Sequence, residues 1–195
     1  CREASKQEII RRYFDALNAL AKGSTSEKEA QKIELLMNMA GITVTDRKVV
    51  IKALERAKET DGPAAALELR DGRIITGKTT NLLGASAALL LNVLKVLAGI
   101  DHETHIISPE SIEPIQKLKV DYLKSKNPRL HTDEVLIALS ASAATNPQAR
   151  LALSQLPELA GCQAHTSVLL SDVDIKIFKK LEVQLTSEAV YEHAL

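Results

Sequence analysis

The chain has 195 residues and a mass of 21.2 kDa, with 25 basic and 25 acidic side chains and hence a formal net charge of zero. This balance excludes a polybasic nucleic-acid tail and an acidic, self-repelling disordered segment. Hydrophobic residues make up 45% of the chain and aromatic residues only 3%, so we expect an aliphatic core.

The N-terminal third carries three predicted helices. The first two open with a capping box, in which Ser is followed three residues later by Glu, and they end at Gly23 and Gly41. Thr45 or Asp46 caps the third helix, and residues 61–63, Asp-Gly-Pro, end it. The two capping boxes are Ser5 with Glu8 and Ser26 with Glu29.

The pattern changes after Pro63. Residues 65–69 and 73–76 flank Asp71-Gly72, which predicts a β-hairpin. The elements predicted next are a buried helix from Leu82, a strand at 105–107, helices from Ser108 to about Lys126, from Thr132 to about Ala144 and from Pro147, a strand at 165–170, a helix capped by Ser171 that reaches Leu181, and a strand at 183–185. A hairpin followed by alternating helices and strands predicts an α/β fold with a mixed sheet and helices on both faces.

Two of these helices are rich in small residues, at 84–88 and at 138–144. Small side chains let backbones approach closely, so we expect both helices to be central and to pack on each other. The apolar stretch 82–98 is shorter than a typical membrane span and contains Asn92 and Lys95, which favours a buried helix.

The cysteine count and the N-terminal residues predict a cytoplasmic location. Cys1 and Cys162 form no disulfide framework, and charged residues interrupt the N-terminal segment where a signal peptide would need an apolar run. The first residue is Cys rather than Met, so we expect a piece of a longer chain.

The segment 72–79 matches the phosphate-loop pattern GxxxxGK[ST]. Its four variable residues favour a strand, so the match favours a hairpin over a nucleotide loop. The link that follows still predicts an anion site, because free amides at a helix N-terminus attract anions. The candidate ligand-binding residues there are Lys78, Thr79, Thr80 and Asn81. Ordinary helix capping is the alternative.

A second polar cluster, residues 127–134, leads into an apolar helix. Asn127 and Arg129 are candidate ligand-binding residues, and His131 with Asp133 is a candidate acid–base pair. The alternative is capping by Thr132 and surface pairing by the rest. The preceding basic helix face lacks interleaved aromatic residues, so we do not expect nucleic-acid binding.

No metal ligands are predicted and no cofactor is identified. His102 and His105 are three residues apart rather than four, unlike the HExxH motif. Cys162 and His165 lack two further ligands, so we interpret them as a buried thiol and an imidazole at a strand edge. The zinc signature of deaminases is absent.

Three long stretches are informative: GRIITGKTTNLLGASAALLLNVLKVLAGI, SKNPRLHTDEVLIALSASAATNPQARLALSQLPELAGCQAH and FKKLEVQLTSEAVY. They resemble one bacterial family, catalogued as domain of unknown function 1846. The resemblance is to the C-terminal part of longer proteins. It implies a helical subdomain, here residues 1–61, and a three-layer α/β/α subdomain, residues 62–195, similar in topology to cytidine deaminases. It implies no activity. Family members often carry Cys after the position of Thr186, where this chain has Ser187.

Two hypotheses follow. In the first, the chain is part of a cytoplasmic enzyme or ligand-binding protein for a phosphorylated or otherwise anionic small molecule. Lys78 and Arg129 would hold the anion, and His131 would move a proton. In the second, the chain is a structural or homo-oligomerisation module without a catalytic site. Neither requires a membrane.

Overall fold

A computed structural model describes residues 2–192. Within that range the chain forms eight α-helices, one four-stranded sheet, and short 3₁₀ or π turns. The helices are α1 (Arg2–Ala21), α2 (Glu27–Ala40), α3 (Lys48–Thr60), α4 (Ala85–Leu97), α5 (Pro109–Lys117), α6 (Thr132–Ser142), α7 (Pro147–Leu153) and α8 (Asp172–Lys180). The strands are β1 (Ala64–Glu68), β2 (Ile74–Lys78), β3 (Gln163–Thr166) and β4 (Gln184–Ser187).

The sheet has the strand order β2-β1-β3-β4. Strand β1 is antiparallel to both of its neighbours, whereas β3 and β4 are parallel. The β1–β2 turn carries Gly72 in the left-handed region, at φ +85°, as the Asp71-Gly72 signal predicts. The predicted α/β fold with a mixed sheet is confirmed.

Helices pack on both faces of the sheet because successive side chains of a strand point to opposite sides. On one face Ala66 packs with Val49 and Ala53 of α3. On the other face Ala65 and Leu67 join the main apolar cluster, to which α4 contributes most of its length. The division of the chain after residue 61 and the likeness to cytidine deaminases stay predictions.

Helix α4 lies at the centre of the main core. Its small residues at the N-terminal end are buried, and it contacts α6, where Leu139 is fully buried. The expected packing of the two small-residue helices on each other is therefore confirmed. Because small side chains let the two backbones approach closely, few aromatic rings are needed to fill this core.

Helix α4 approaches β2 so closely that only glycine fits at residue 77. A Cβ atom on Gly77 would lie 2.2 Å from the backbone nitrogen of Leu89 and 2.9 Å from the carbonyl oxygen of Ala85. The glycine that completes the phosphate-loop pattern therefore serves strand–helix packing. Residues 74–78 are a strand, as their side chains favour.

A buried arginine, which the sequence analysis missed, joins the N-terminal helices to the far edge of the sheet. Arg47 is 1% exposed; its Nε donates to Thr186 Oγ1 at 3.0 Å and its Nη2 donates to the Ala164 carbonyl at 3.0 Å. Burial lowers the pKa of Arg47 to about 10. The same face carries His165, whose ring lies 4.8 Å from that of Phe14 on α1.

Three predicted strands differ in position from the structure. Residues 105–107 lie in a loop and pair with no strand. Ile106 and Ile107 are apolar because the loop buries them in the core, so their pattern does not indicate a strand. The strand predicted at 165–170 runs instead from Gln163 to Thr166, where it pairs with β1 and β4. His165 is thus in the middle of a strand and fully buried, not at an edge. The last strand is Gln184–Ser187 rather than 183–185.

Several helix ends also differ. Helix α1 begins at Arg2, before the predicted Ser5 cap. Helix α4 begins at Ala85 rather than Leu82, because the Thr80 hydroxyl accepts the Leu82 and Leu83 amides in a local turn. His131, not Thr132, precedes the first turn of α6. Helix α5 passes into a π turn at Leu118–Tyr122 and does not reach Lys126.

The Gly77 contact yields a stability prediction. Gly77→Ala should lower the free energy of unfolding by about 3 kcal/mol, because the added methyl group meets backbone atoms that cannot rotate away. Urea denaturation measures the loss. Gly62→Ala is the matched control, since its Cβ would lie 3.8 Å from its nearest neighbour, and equal stability of the two variants would contradict the contact.

Candidate functional site

Two loops that are distant in sequence meet beside the N-terminus of α4. The Leu130 amide donates to the Leu82 carbonyl at 2.9 Å, and the Gly84 amide donates to the Leu130 carbonyl at 3.2 Å. Between these loops and the start of α8 lies a cleft of about 70 Å³, here called the α4 cleft. Its polar lining residues include Thr79, Ser86, Asn127, Arg129, His131, Ser171, Asp174 and Glu192.

The first turn of α4 lines this cleft with backbone and hydroxyl groups. The amides of Ala85, Ser86 and Ala87 occupy the first turn of the helix, where no intrahelical acceptor exists. Ser86 is 3% exposed, and its hydroxyl has no hydrogen-bond partner among the described residues. A buried hydroxyl without a partner costs free energy, so a ligand that accepts from it would stabilise the protein.

Arg129 supplies positive charge at the mouth of the α4 cleft. Its Nε donates to the Thr80 carbonyl at 3.0 Å, and its Nη1 lies 3.1 Å from a Glu192 carboxylate oxygen. Asn127 Oδ1 accepts the Arg129 amide at 3.1 Å and so shapes the loop. The guanidinium is held in place, and the Arg129 side chain as a whole is 29% exposed, within reach of solvent.

Asp174 connects α8 to the start of α6. Its Oδ1 accepts both the amide and the hydroxyl of Thr132, at 2.9 and 2.8 Å, and its Oδ2 contacts the Ser171 hydroxyl and His131 Nδ1 at 2.8 and 3.0 Å. Burial alone would raise the pKa of Asp174, but hydrogen bonds from His131 and Thr132 outweigh it and lower the pKa. Asp174 is therefore a carboxylate with all its strong acceptor sites in use.

His131 is oriented by that carboxylate. Its hydrogen bond to Asp174 raises the pKa of His131 above the ordinary value, despite partial burial. Because Nδ1 faces Asp174, Nε2 is the ring nitrogen left for a ligand, and no residue in the described part of the chain bonds to it. An imidazole fixed by a carboxylate in this way can hold an anion or transfer a proton.

The structure brings some of the predicted site residues together and separates others. Thr79, Asn127, Arg129 and His131 line the α4 cleft. Lys78 and Thr80 line a larger groove on the other side of the same loop. Asn81 and Asp133 line neither; the Asn81 carbonyl accepts from Gln116, and Asp133 accepts the Glu134 amide.

Four polar residues of the cleft escaped the sequence analysis as site residues: Ser86, Ser171, Asp174 and Glu192. Ser171 with Asp174 was recognised only as a helix cap, and the Asp174 amide does bond to the Ser171 hydroxyl. Ser86 stands among alanines in an apolar helix, where a serine ordinarily bonds to its own backbone. Its unsatisfied hydroxyl is visible only in three dimensions.

The described residues contain no metal-binding cluster of three or more His, Cys, Asp or Glu side chains. Cys162 belongs to the main core, where burial raises the pKa of its thiol. His165 faces Phe14 on the other side of the sheet, where burial lowers the pKa of its imidazole. Across residues 2–192, no helix is both long enough and apolar enough to span a membrane.

The His131–Asp174 contact predicts a pH dependence of stability. A histidine with a raised pKa in the folded state stabilises the fold below its unfolded pKa of about 6.5 and loses that effect as the pH rises through the folded pKa. The difference in unfolding free energy between wild type and His131→Asn should thus be larger at pH 6 than at pH 8.5. Urea titrations at both pH values measure it, with exposed His105→Asn as control. A pH-independent difference for His131→Asn would refute the pairing.

Two family models match the chain: "Domain of unknown function DUF1846, N-terminal" over residues 1–41 and "Domain of unknown function DUF1846, C-terminal" over residues 45–195. Similar proteins include UPF0371 proteins from Corynebacterium aurimucosum, 58% identical, from Corynebacterium glutamicum, 53% identical, and from Streptococcus pyogenes serotype M5, 48% identical. Each alignment covers 98% of this chain but only 38% or 39% of the relative. The chain therefore belongs to the DUF1846 family and spans about two-fifths of the length of these relatives.

Proposed function

We propose that the α4 cleft binds the anionic group, phosphate or carboxylate, of a small molecule. The observation that carries this proposal is the buried, unpartnered hydroxyl of Ser86 in the first turn of α4. Free amides and the helix dipole favour negative charge at the same point. The Ser86 hydroxyl and the neighbouring amides would together donate to one bound anion.

The charges around the cleft are compatible with an anion. Asp174 is the buried acid of the lining, and its charge is matched by His131 and by three further hydrogen bonds. Glu192 pairs with Arg129 in a partly exposed position, where ion pairs contribute little. A ligand anion would replace Glu192 at the guanidinium and place its charge between Arg129 and His131.

The size of the cleft limits what it holds. A volume of about 70 Å³ is roughly twice the share of one water molecule in the liquid, which is ~30 Å³. That space suits one anionic group, with the rest of the molecule outside. The substrate class we propose is therefore a phosphorylated or carboxylated small molecule anchored by its acidic group.

His131 gives this binding site the means for proton transfer. Its Nδ1 is held by Asp174, so Nε2 would face the bound group and share or donate a proton. Whether a reaction follows depends on parts of the ligand that lie beyond the cleft.

Inorganic phosphate is the direct probe of the cleft. Wild-type protein should bind phosphate in isothermal titration calorimetry, and Arg129→Gln and Ser86→Ala should each weaken binding about tenfold, the scale of one lost hydrogen bond to a charged group. Arg12→Gln is the matched control, since Arg12 is 70% exposed on α1 and outside the cleft.

Two results would contradict this proposal. One is the absence of phosphate, sugar phosphate and carboxylate binding by wild type. The other is equal weakening by Arg129→Gln and Arg12→Gln, which would indicate attraction by net charge alone.

The second candidate is a homo-oligomerisation module, and exposed apolar side chains on α2 favour it. Leu35, Leu36 and Met39 are 60%, 57% and 77% exposed. Isolated apolar side chains are common at surfaces, but three close together on one helix suit a contact with a second copy.

Sedimentation velocity tests the oligomer. If α2 forms the contact, wild type should sediment as a dimer and a Leu36→Glu, Met39→Glu double variant as a monomer. Ile137→Glu is the matched control, because Ile137 is 69% exposed on α6. A monomeric wild type at high concentration would rule this candidate out.

We further propose a cytoplasmic location, on the basis of the cysteine usage of the sequence. A deaminase-like topology and a helical subdomain over residues 1–61 also remain proposals. Helix α3 packs on β1 and contributes to the layer that covers the sheet. A helical subdomain over residues 1–61 would therefore share an interface with the sheet.

A further inference from the structure

An apolar depression lies along the outer edge of β2, between α4 and the loop 102–109. This depression, here called the β2 groove, has a volume of about 660 Å³, within the range of cavities that hold small organic ligands. It is separated from the α4 cleft by the loop 79–83 and is not part of the anion site proposed above.

The floor of the β2 groove is aliphatic. Among its residues, Leu91, Ile106, Ile107 and Ile112 belong to the main core, and Ile75, Leu82, Leu83 and Val96 are partly buried against it. Covering partly exposed apolar surface of this kind with an apolar ligand removes it from water, which is favourable. The floor therefore suits a hydrocarbon or aromatic body.

The polar part of the lining carries one sign of charge. Five side chains are basic or histidine, and none of the residues that line the groove is Asp or Glu. The five are Arg56, Lys78, Lys95, His102 and His105. In a chain with zero formal net charge, a wall without a single acid favours an anionic partner.

Three of these side chains differ in how many hydrogen-bond donors they have free for a ligand. Lys95 is buried and donates to the carbonyls of His102 and Thr104, so it holds the loop in place. Arg56 pairs through Nη1 with Glu59 at 3.1 Å, whereas its Nε is buried and has no hydrogen-bond partner among residues 2–192. Lys78 is exposed at the end of β2. Arg56 and Lys78 are therefore the donors that a ligand would use.

The edge of β2 raises a peptide strand as an alternative occupant, because unpaired edges accept added strands. Asn92 disfavours it: the Asn92 side-chain amide donates to the Thr76 carbonyl at 2.9 Å, in the middle of the five-residue strand. An added strand would have to break that bond. A small molecule that lies on the aliphatic floor leaves it intact.

We propose that the β2 groove binds a small amphipathic anion, with an apolar body on the aliphatic floor and a carboxylate or phosphate at Arg56 and Lys78. Medium-chain acyl acids and aromatic acids have this chemistry. The proposed groove site and the proposed α4 cleft site have only the loop 79–83 in common. A negative result for one site therefore does not contradict the other.

Competition with a fluorescent probe tests the proposal. The probe is 8-anilinonaphthalene-1-sulfonate, an apolar ring system with one anionic group, and the competitors are decanoate and decylammonium below their micelle concentrations. We expect decanoate to displace the probe at least tenfold better than decylammonium, although the two chains are equally apolar. Inorganic phosphate should not displace the probe, and Arg12→Gln, at an exposed position on α1 away from both sites, should bind it like wild type.

An Arg56→Glu, Lys78→Glu double variant should bind decanoate at least tenfold more weakly. A Lys28→Glu, Lys32→Glu double variant on α2 makes the same change in net charge away from the groove and should bind like wild type. If the first double variant does not fold, Lys78→Glu alone provides the test, because that side chain is exposed.

Three outcomes would overturn the proposal. They are equal competition by decanoate and decylammonium, equal weakening by the two double variants, and binding of an acidic peptide without binding of decanoate. The last outcome would assign the groove to strand addition.

Discussion

The close approach of α4 to β2 at Gly77 fixes the position of the helix at the centre of the main core. A side chain at residue 77 would enter the backbone of α4 at Leu89 and Ala85. Because it is absent, α4 lies directly against the sheet and joins the core through nearly all of its turns. The helix N-terminus is thereby held beside the loop that carries Arg129 and His131.

The same arrangement leaves space on both sides of the loop that enters α4. On one side lies the small cleft with the amides of the first helical turn, and on the other lies the larger groove with an aliphatic floor. Thr80 keeps that loop in shape, since its hydroxyl accepts the Leu82 and Leu83 amides and its carbonyl accepts from Arg129. One turn of polypeptide thus serves as a wall for two proposed binding sites.

On the opposite face of the sheet, Arg47 performs a structural task. Its bonds to Thr186 and to the carbonyls of Ala164 and Gln184 join α3 to the two parallel strands. A buried guanidinium without a carboxylate partner is expensive unless its donors are used, and here backbone and side-chain oxygens take them up. The network keeps the sheet in one register beneath α1 and α3.

Features whose chemistry lies within a few residues could be predicted from the sequence. The Asp71-Gly72 hairpin, the Gly41 helix end and the Ser171 cap of α8 are of this kind. Asp174 reaches Thr132 across 42 positions and Arg47 reaches Thr186 across 139, so no local pattern reveals either bond. The sequence predicts a strand at Ile106 and Ile107 because a buried loop and a short strand are equally apolar. The candidate site was accordingly predicted only in part, through its loop residues.

The proposed anion site depends on the free amides in the first turn of α4. Amide NMR spectra of the protein titrated with phosphate test it most directly, because they observe the donor groups themselves. We expect large, saturable shifts of the Ala85, Ser86 and Ala87 amides, with the Arg129 and His131 side-chain signals shifting at the same midpoint. Unchanged amides at 85–87, with only weak and non-saturating shifts at lysine-rich surfaces, would contradict it.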